Sequence, residues 1–296
     1  MMIRRIPEKL DGLTWNGEEL EERRGAVVEL SPNFLIYSGR PFKSEAKDEC
    51  GNNTGVGAAL EEAVKVVGSR GIIASLPYLI AAKVKADSTN YLNQHWFTAL
   101  SEENVGIDTK GKFVNKGKPV VLIVHGGGSL THRRISQAYG EDGLTNLGFV
   151  RYDEGEFDAL VAGQVQGRDN LHYYSIDDVF DGKIIDPFAR FGIWLDYETA
   201  VNTLSQYQQK DRLVENPLAV ARAASIDNLG SLFDAVKNPT DNDVRNSHLL
   251  DKIDPSQPQA YFLVLDIECG GIMGTIGVNY HGCFAGAVSK SSSQKE

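Results

Sequence analysis

The segment Pro119–Ile135, PVVLIVHGGGSLTHRRI, sets a histidine, three glycines and a serine directly after an apolar run, and then turns basic. Glycine has no Cβ, so its backbone N–H groups can approach a bound anion closely, and the N-terminus of a following helix adds a favourable dipole. His125, Gly126, Gly127, Gly128 and Ser129 therefore form a candidate anion loop whose N–H groups would hold phosphate. His132, Arg133 and Arg134 fall in the first turn of the helix expected next. Cations oppose the dipole there, and an anionic partner would offset them.

In open parallel sheets ligands bind beyond the carboxyl ends of the strands, and that rule gathers further groups. The run FGIWL delivers Asp196, and AYFLVLDIE delivers Asp266 and Glu268, followed by Gly270 and Gly271. Asp196 or Asp266 could position Mg²⁺ that bridges phosphate oxygens. Asp196 equally suits the N-cap of a helix beginning at Tyr197. Asp266 and Glu268 lie two apart in an extended segment and project to one side, as either a carboxylate pair or an exposed strand face would. Arg40 and Lys43, in a polar loop, are the candidate source of positive charge. For His125 a structural role, hydrogen-bonded at a strand end, stands beside the ligand role.

The elements that must position these groups follow from periodicity. AVVEL and NFLIYS read as strands around Ser31-Pro32, and GAALEEAVKVVG as a helix closed by glycine. A short helix is expected over 17–24. GIIASLPYLIAA is apolar but too short to span a bilayer, so it is assigned to the core. VVLIV is followed by a helix over 131–139, FGIWL by DYETAVNTLSQYQ, and PLAVARA by SIDNLGSLFDAVKN. Apolar runs alternating with helices point to strand–helix units around a buried parallel sheet. The expected fold is one α/β domain over 1–296, a mainly parallel central sheet with flanking helices. It carries an irregular β-rich excursion at 87–118, a turn-rich connection at 238–259 and a mobile tail at 289–296.

Composition narrows the partners. Hydrophobic residues make up 42% and charged residues 24% of the chain, as in folded globular proteins. The net charge of −10 argues against general affinity for nucleic acid or an anionic membrane. Cys50, Cys269 and Cys283 form no Cys-x-x-Cys pair, which suits reduced thiols in a cytoplasmic protein and not a structural zinc site. No secretory leader is read in MMIRRIPEKLDGLTW, which lacks an apolar stretch after its arginines.

LIVHGGGSLTHRRISQAYG resembles the phosphate-binding segment of the amino-acid-kinase superfamily, most closely its isopentenyl phosphate kinase branch, and DIECGGIMG is similar to that superfamily's later glycine segment. The resemblance implies an ATP-dependent, Mg²⁺-assisted kinase of a small anionic substrate. His125–Ser129, Gly270 and Gly271 would bind nucleotide, Asp196 and Asp266 would hold metal, and Lys43, Arg40 and His132 would act in catalysis. The pattern departs from the family where Thr275 replaces an expected lysine.

Three other readings use the same residues. PVVLIVHGGG is also similar to the oxyanion loop of hormone-sensitive-lipase-type esterases, although no Gly-x-Ser-x-Gly elbow follows Gly128. A metal site could draw on His125, His132 or His281 with Asp266. A non-catalytic chain would be either a binding module that keeps the glycine loop or a subunit of a self-assembling structure with glycine-rich inter-subunit turns. A homo-oligomer is expected.

Overall fold

The structure is a computed structural model that describes residues 27–289 except 32–33, 45–53, 68–70, 87–90, 94–95, 141, 154, 166–169, 185, 187–188, 204–206, 236–243, 267–270, 275–276 and 280–281. The helix expected over 17–24, Gly270, His281 and most of the tail lie outside the described residues.

Strands β1 (Val27–Ser31) and β2 (Phe34–Ser44) form an antiparallel hairpin, as the two apolar runs predict. Helix α1 (Gly55–Val67) follows, then β3 (Gly71–Ile73) and α2 (Leu76–Lys85). Helix α2 starts with proline in its first turn, where the missing N–H costs nothing, and it is buried, as GIIASLPYLIAA predicts. Next come β4 (Phe97–Asp108), β5 (Lys118–His125), α3 (His132–Gly140), β6 (Val150–Arg151), α4 (Glu156–Ala162), β7 (Tyr173–Ser175), α5 (Ile176–Phe180) and β8 (Phe191–Asp196). The chain continues through α6 (Tyr197–Val201), β9 (Tyr207–Gln208), α7 (Lys210–Val214), α8 (Pro217–Ala223), α9 (Ile226–Ala235), β10 (Val244–His248), β11 (Gln259–Asp266), β12 (Gly271–Gly274) and β13 (Gly282–Ser289).

Two sheets result. One has the order β1-β2-β13-β3; the larger runs β7-β8-β5-β4-β11-β12-β10-β9, with β6 added against β11. The expectation of a mainly parallel sheet is overturned. Strand β5 is antiparallel to both of its neighbours, β4 and β8, and β11 is antiparallel to β4 and β12. Among the described pairs only β7–β8 and β10–β12 are parallel. The misreading has a physical source: a strand covered on both faces is a continuous apolar run whichever way its neighbours point.

Four further local assignments change. PLAVARA is helix α8 and not a strand: Asn216 caps it by accepting from Ala219 N at 3.1 Å, and Pro217 sits at the start. The supposed excursion 87–118 contains β4, which occupies the middle of the large sheet. The connection 238–259 contains β10, and the loop expected at Arg40 and Lys43 is the second half of β2.

The large sheet is packed on both faces. One face meets α2, α8 and α9 through Val121, Ile123, Leu195, Tyr261 and Leu263. The other carries Val120, Leu122 and Val124 against Phe157 and Leu160 of α4. Each such fully buried aliphatic side chain stabilises the fold by roughly 1.5–3 kcal/mol relative to exposure. Among the described residues, no helix is long and apolar enough to cross a membrane.

Candidate functional site

The loop His125–Ser129 leaves β5 at the edge of both cores. His125 is fully buried. Its Nε2 lies 3.1 Å from Ala221 O, a pure acceptor, so Nε2 carries the proton. Its Nδ1 therefore accepts, at 2.8 Å, from Ser101 Oγ, which in turn accepts from Leu76 N at 2.8 Å. Burial drives the imidazole pKa down to about 4, with the Ala221 carbonyl opposing. The histidine is a neutral cross-brace between β4, α2 and α8.

The glycines allow a tight turn. Gly126 and Gly127 have φ of 81° and 93°, a conformation that side chains disfavour. Both amides donate to Leu100 O, at 2.9 and 3.2 Å. From the opposite side Arg190 Nε donates to Gly127 O at 2.7 Å.

The next amides are taken up by a carboxyl group that belongs to the chain. Glu102 of β4, fully buried, accepts from Ser129 N at Oε1 and from Leu130 N at Oε2, both at 2.8 Å. Ser129 Oγ adds a contact to Oε1 at 3.2 Å. A Cβ on Gly128 would collide with Oε1 of the same carboxylate, so glycine is required for Glu102 to reach the loop. Tyr152 OH closes the group by bonding Ser129 Oγ and Asn104 Oδ1. Burial pushes the Glu102 carboxyl up and the Leu130 and Ser129 amides pull it down, leaving it raised. The arrangement is a nest of amides filled from within.

The other expected site residues are dispersed. In the antiparallel register Val120 pairs with Asp196 while His125 pairs with Phe191, so Asp196 sits at the far end of the sheet, roughly 17 Å from the glycine loop. There it caps α6, its Oδ1 accepting from Thr199 N at 3.0 Å. Asp266 ends β11 at the same end as the loop, opposite Gly271 of β12. Its charge acts on Lys83 of α2, a 4% exposed lysine whose pKa burial lowers to about 8 against the pull of Asp266. Asp196 and Asp266, at opposite ends, cannot share a metal ion. Among the described residues no group of three or more His, Cys, Asp and Glu is placed to hold one. Arg40 and Lys43 lie on β2 in the smaller sheet, Lys43 in register with Cys283. His132 is half-buried at the start of α3.

Sequence reading missed the two acids that organise this region. Glu103, also fully buried, points to the face opposite Glu102 and holds Arg222 of α8, with Nε to Oε2 at 2.8 Å. Tyr261 OH donates to the same carboxylate. A signal was present: Arg222 is a lone charge inside the apolar PLAVARAA, and buried arginine demands a buried acid.

No protein-family model matches the sequence, and no curated protein matches it. A solved structure does, one described as the accommodation of massive sequence variation in Nanoarchaeota by the C-type lectin fold. It superposes over 80% of this chain and 95% of its own, with a TM-score of 0.56 at 20% identity. This overturns the amino-acid-kinase resemblance and, with it, the kinase and ATP assignments: the two short motifs recur here on an unrelated architecture. The chain has a fold of the C-type lectin kind.

Proposed function

We propose that this protein is a non-catalytic recognition module, a rigid scaffold that presents exposed residues to a ligand. The observation that carries the reading is the closure of the glycine loop on Glu102. An enzyme using that loop would need its amides directed at a substrate oxygen, whereas here they serve the fold. His125, the remaining chemical group, is a neutral brace inside the core.

Two further points support it. The similar structure is described as accommodating massive sequence variation, a property that requires a framework held from inside and indifferent to its surface. The buried pairs at Glu102 and Glu103 supply such a framework. Among the described large hydrophobic residues only Val64 and Val84 are exposed, which favours recognition through polar loops over assembly through an apolar face.

The test combines turnover with tolerance. Purified protein should hydrolyse neither p-nitrophenyl esters nor ATP above background. A library randomised at exposed Asn115, Lys116, Arg133 and His172 should stay folded, each change costing about 0.5 kcal/mol or less. Turnover abolished by His125→Gln in a folded variant, or collapse of most library members, would overturn the reading.

A further inference from the structure

The Glu103–Arg222 network holds more donors than acceptors. Arg222 is fully buried, and its Nη1 donates to Asn246 Oδ1 at 2.7 Å and to Ser247 O at 2.8 Å. A guanidinium only donates, so the Asn246 atom facing it is oxygen, which fixes the amide and turns Nδ2 elsewhere. Asn246 is itself fully buried. Arg222 Nη2 lies 2.8 Å from Glu103 Oε2 as an ion-pair neighbour, without the alignment of a hydrogen bond. Neither Arg222 Nη2 nor Asn246 Nδ2 has a hydrogen-bond partner among the described residues. Each is an NH₂ group with two protons, and buried donors in folded proteins are almost always satisfied.

The surrounding backbone is shaped to the guanidinium. Gly274 of β12 stands opposite His248 of β10, and a Cβ there would collide with Arg222 Nη2. Asn246 and His248 share one face of β10, the face turned to Arg222, while Ser247 projects its side chain to the other.

We propose that this cluster is a built site for one internal water molecule, accepting from Arg222 Nη2 and Asn246 Nδ2 and tying α8 to β10. The charges select a neutral guest. Glu103 already balances Arg222, and burial together with Arg222 keeps His248 below its ordinary pKa, so no surplus positive charge remains for an anion. An ionised carboxylate offers about four lone-pair directions. Glu103 uses two, for Tyr261 OH and Arg222 Nε, with Arg222 Nη2 beside it as a charge neighbour, which leaves acceptor capacity to take a proton of the water.

High-resolution crystals of the wild-type protein test this directly. The expected result is one spherical density peak within about 2.7–3.2 Å of both nitrogens, with no anomalous signal there after a bromide soak. In solution the Asn246 side-chain amide protons should show water cross-peaks of the sign given by a long-lived water. A bromide peak at the site would make it an anion site and overturn the proposal. So would direct bonds from both nitrogens to protein oxygens, or amide protons without the long-lived water signal.

Discussion

Glu102 and Glu103 are consecutive on one strand and both fully buried, yet they hold different parts of the molecule. The pleat sends them to opposite faces of the sheet. Glu102 gathers Ser129 and Leu130 from the glycine loop, and Glu103 gathers Arg222 and Tyr261 from the other side. Both acids are engaged within the fold, and together they lock β4 to the elements stacked on it.

The fit at Gly128 is the first point open to measurement. Gly128→Ala puts a methyl group into Glu102 Oε1, and overpacking of this kind costs about 1–3 kcal/mol. Urea unfolding should show that loss with an unchanged denaturant slope. A loss below about 0.5 kcal/mol, the level of an ordinary surface change, would mean that the loop is not clamped.

Glu102→Gln keeps shape but replaces one acceptor with a donor, leaving Ser129 N or Leu130 N without a partner at a cost of about 1–3 kcal/mol. The wild type also gains a pH signature. Because the folded carboxyl is raised, its contribution is fullest below the unfolded value of about 4.3 and declines as pH rises through the folded pKa. The stability difference between wild type and variant should therefore shrink with rising pH across that window. A difference that widens would contradict the burial-dominated shift.

His125 gives the opposite slope. Its folded pKa of about 4 lies below the unfolded value of about 6.5. Its contribution is full above pH ~6.5 and is lost as pH falls towards 4, amounting to about 3 kcal/mol. Unfolding midpoints of wild type and His125→Gln over this range should converge at low pH. Parallel profiles would show that His125 titrates normally and is not a buried brace.

Arg222→Met strands Glu103 in the core, which should cost about 3–5 kcal/mol. The double variant Glu103→Gln with Arg222→Met should recover part of that, since no unpaired charge remains. Strict additivity in this double-mutant cycle would remove the claim that the pair acts as a unit.

How much of this was legible beforehand depended on range. Strands β5, β8 and β11 and helices α1 and α3 follow from apolar spacing alone, because their signals are local. Pro217–Ala223 reads as a strand because a seven-residue apolar run has no decisive period, although its alanines, Pro217 and Asn216 all favour a helix start. Strand direction was hidden because burial on both faces erases the alternation that marks one-sided antiparallel strands. In sequence the glycine loop reads as a site for an external phosphate. The carboxyl that takes up its amides lies 27 residues earlier in the chain, on a neighbouring strand, where Ser-Glu-Glu-Asn reads as a polar break.

The central claim is that the loop amides are occupied by Glu102, and their own resonances test it. In ¹⁵N-labelled protein, Ser129 and Leu130 N–H should exchange slowly without any ligand and should not shift on addition of phosphate or ATP with Mg²⁺. Rapid exchange of these amides, together with saturable shifts on adding phosphate, would contradict the account.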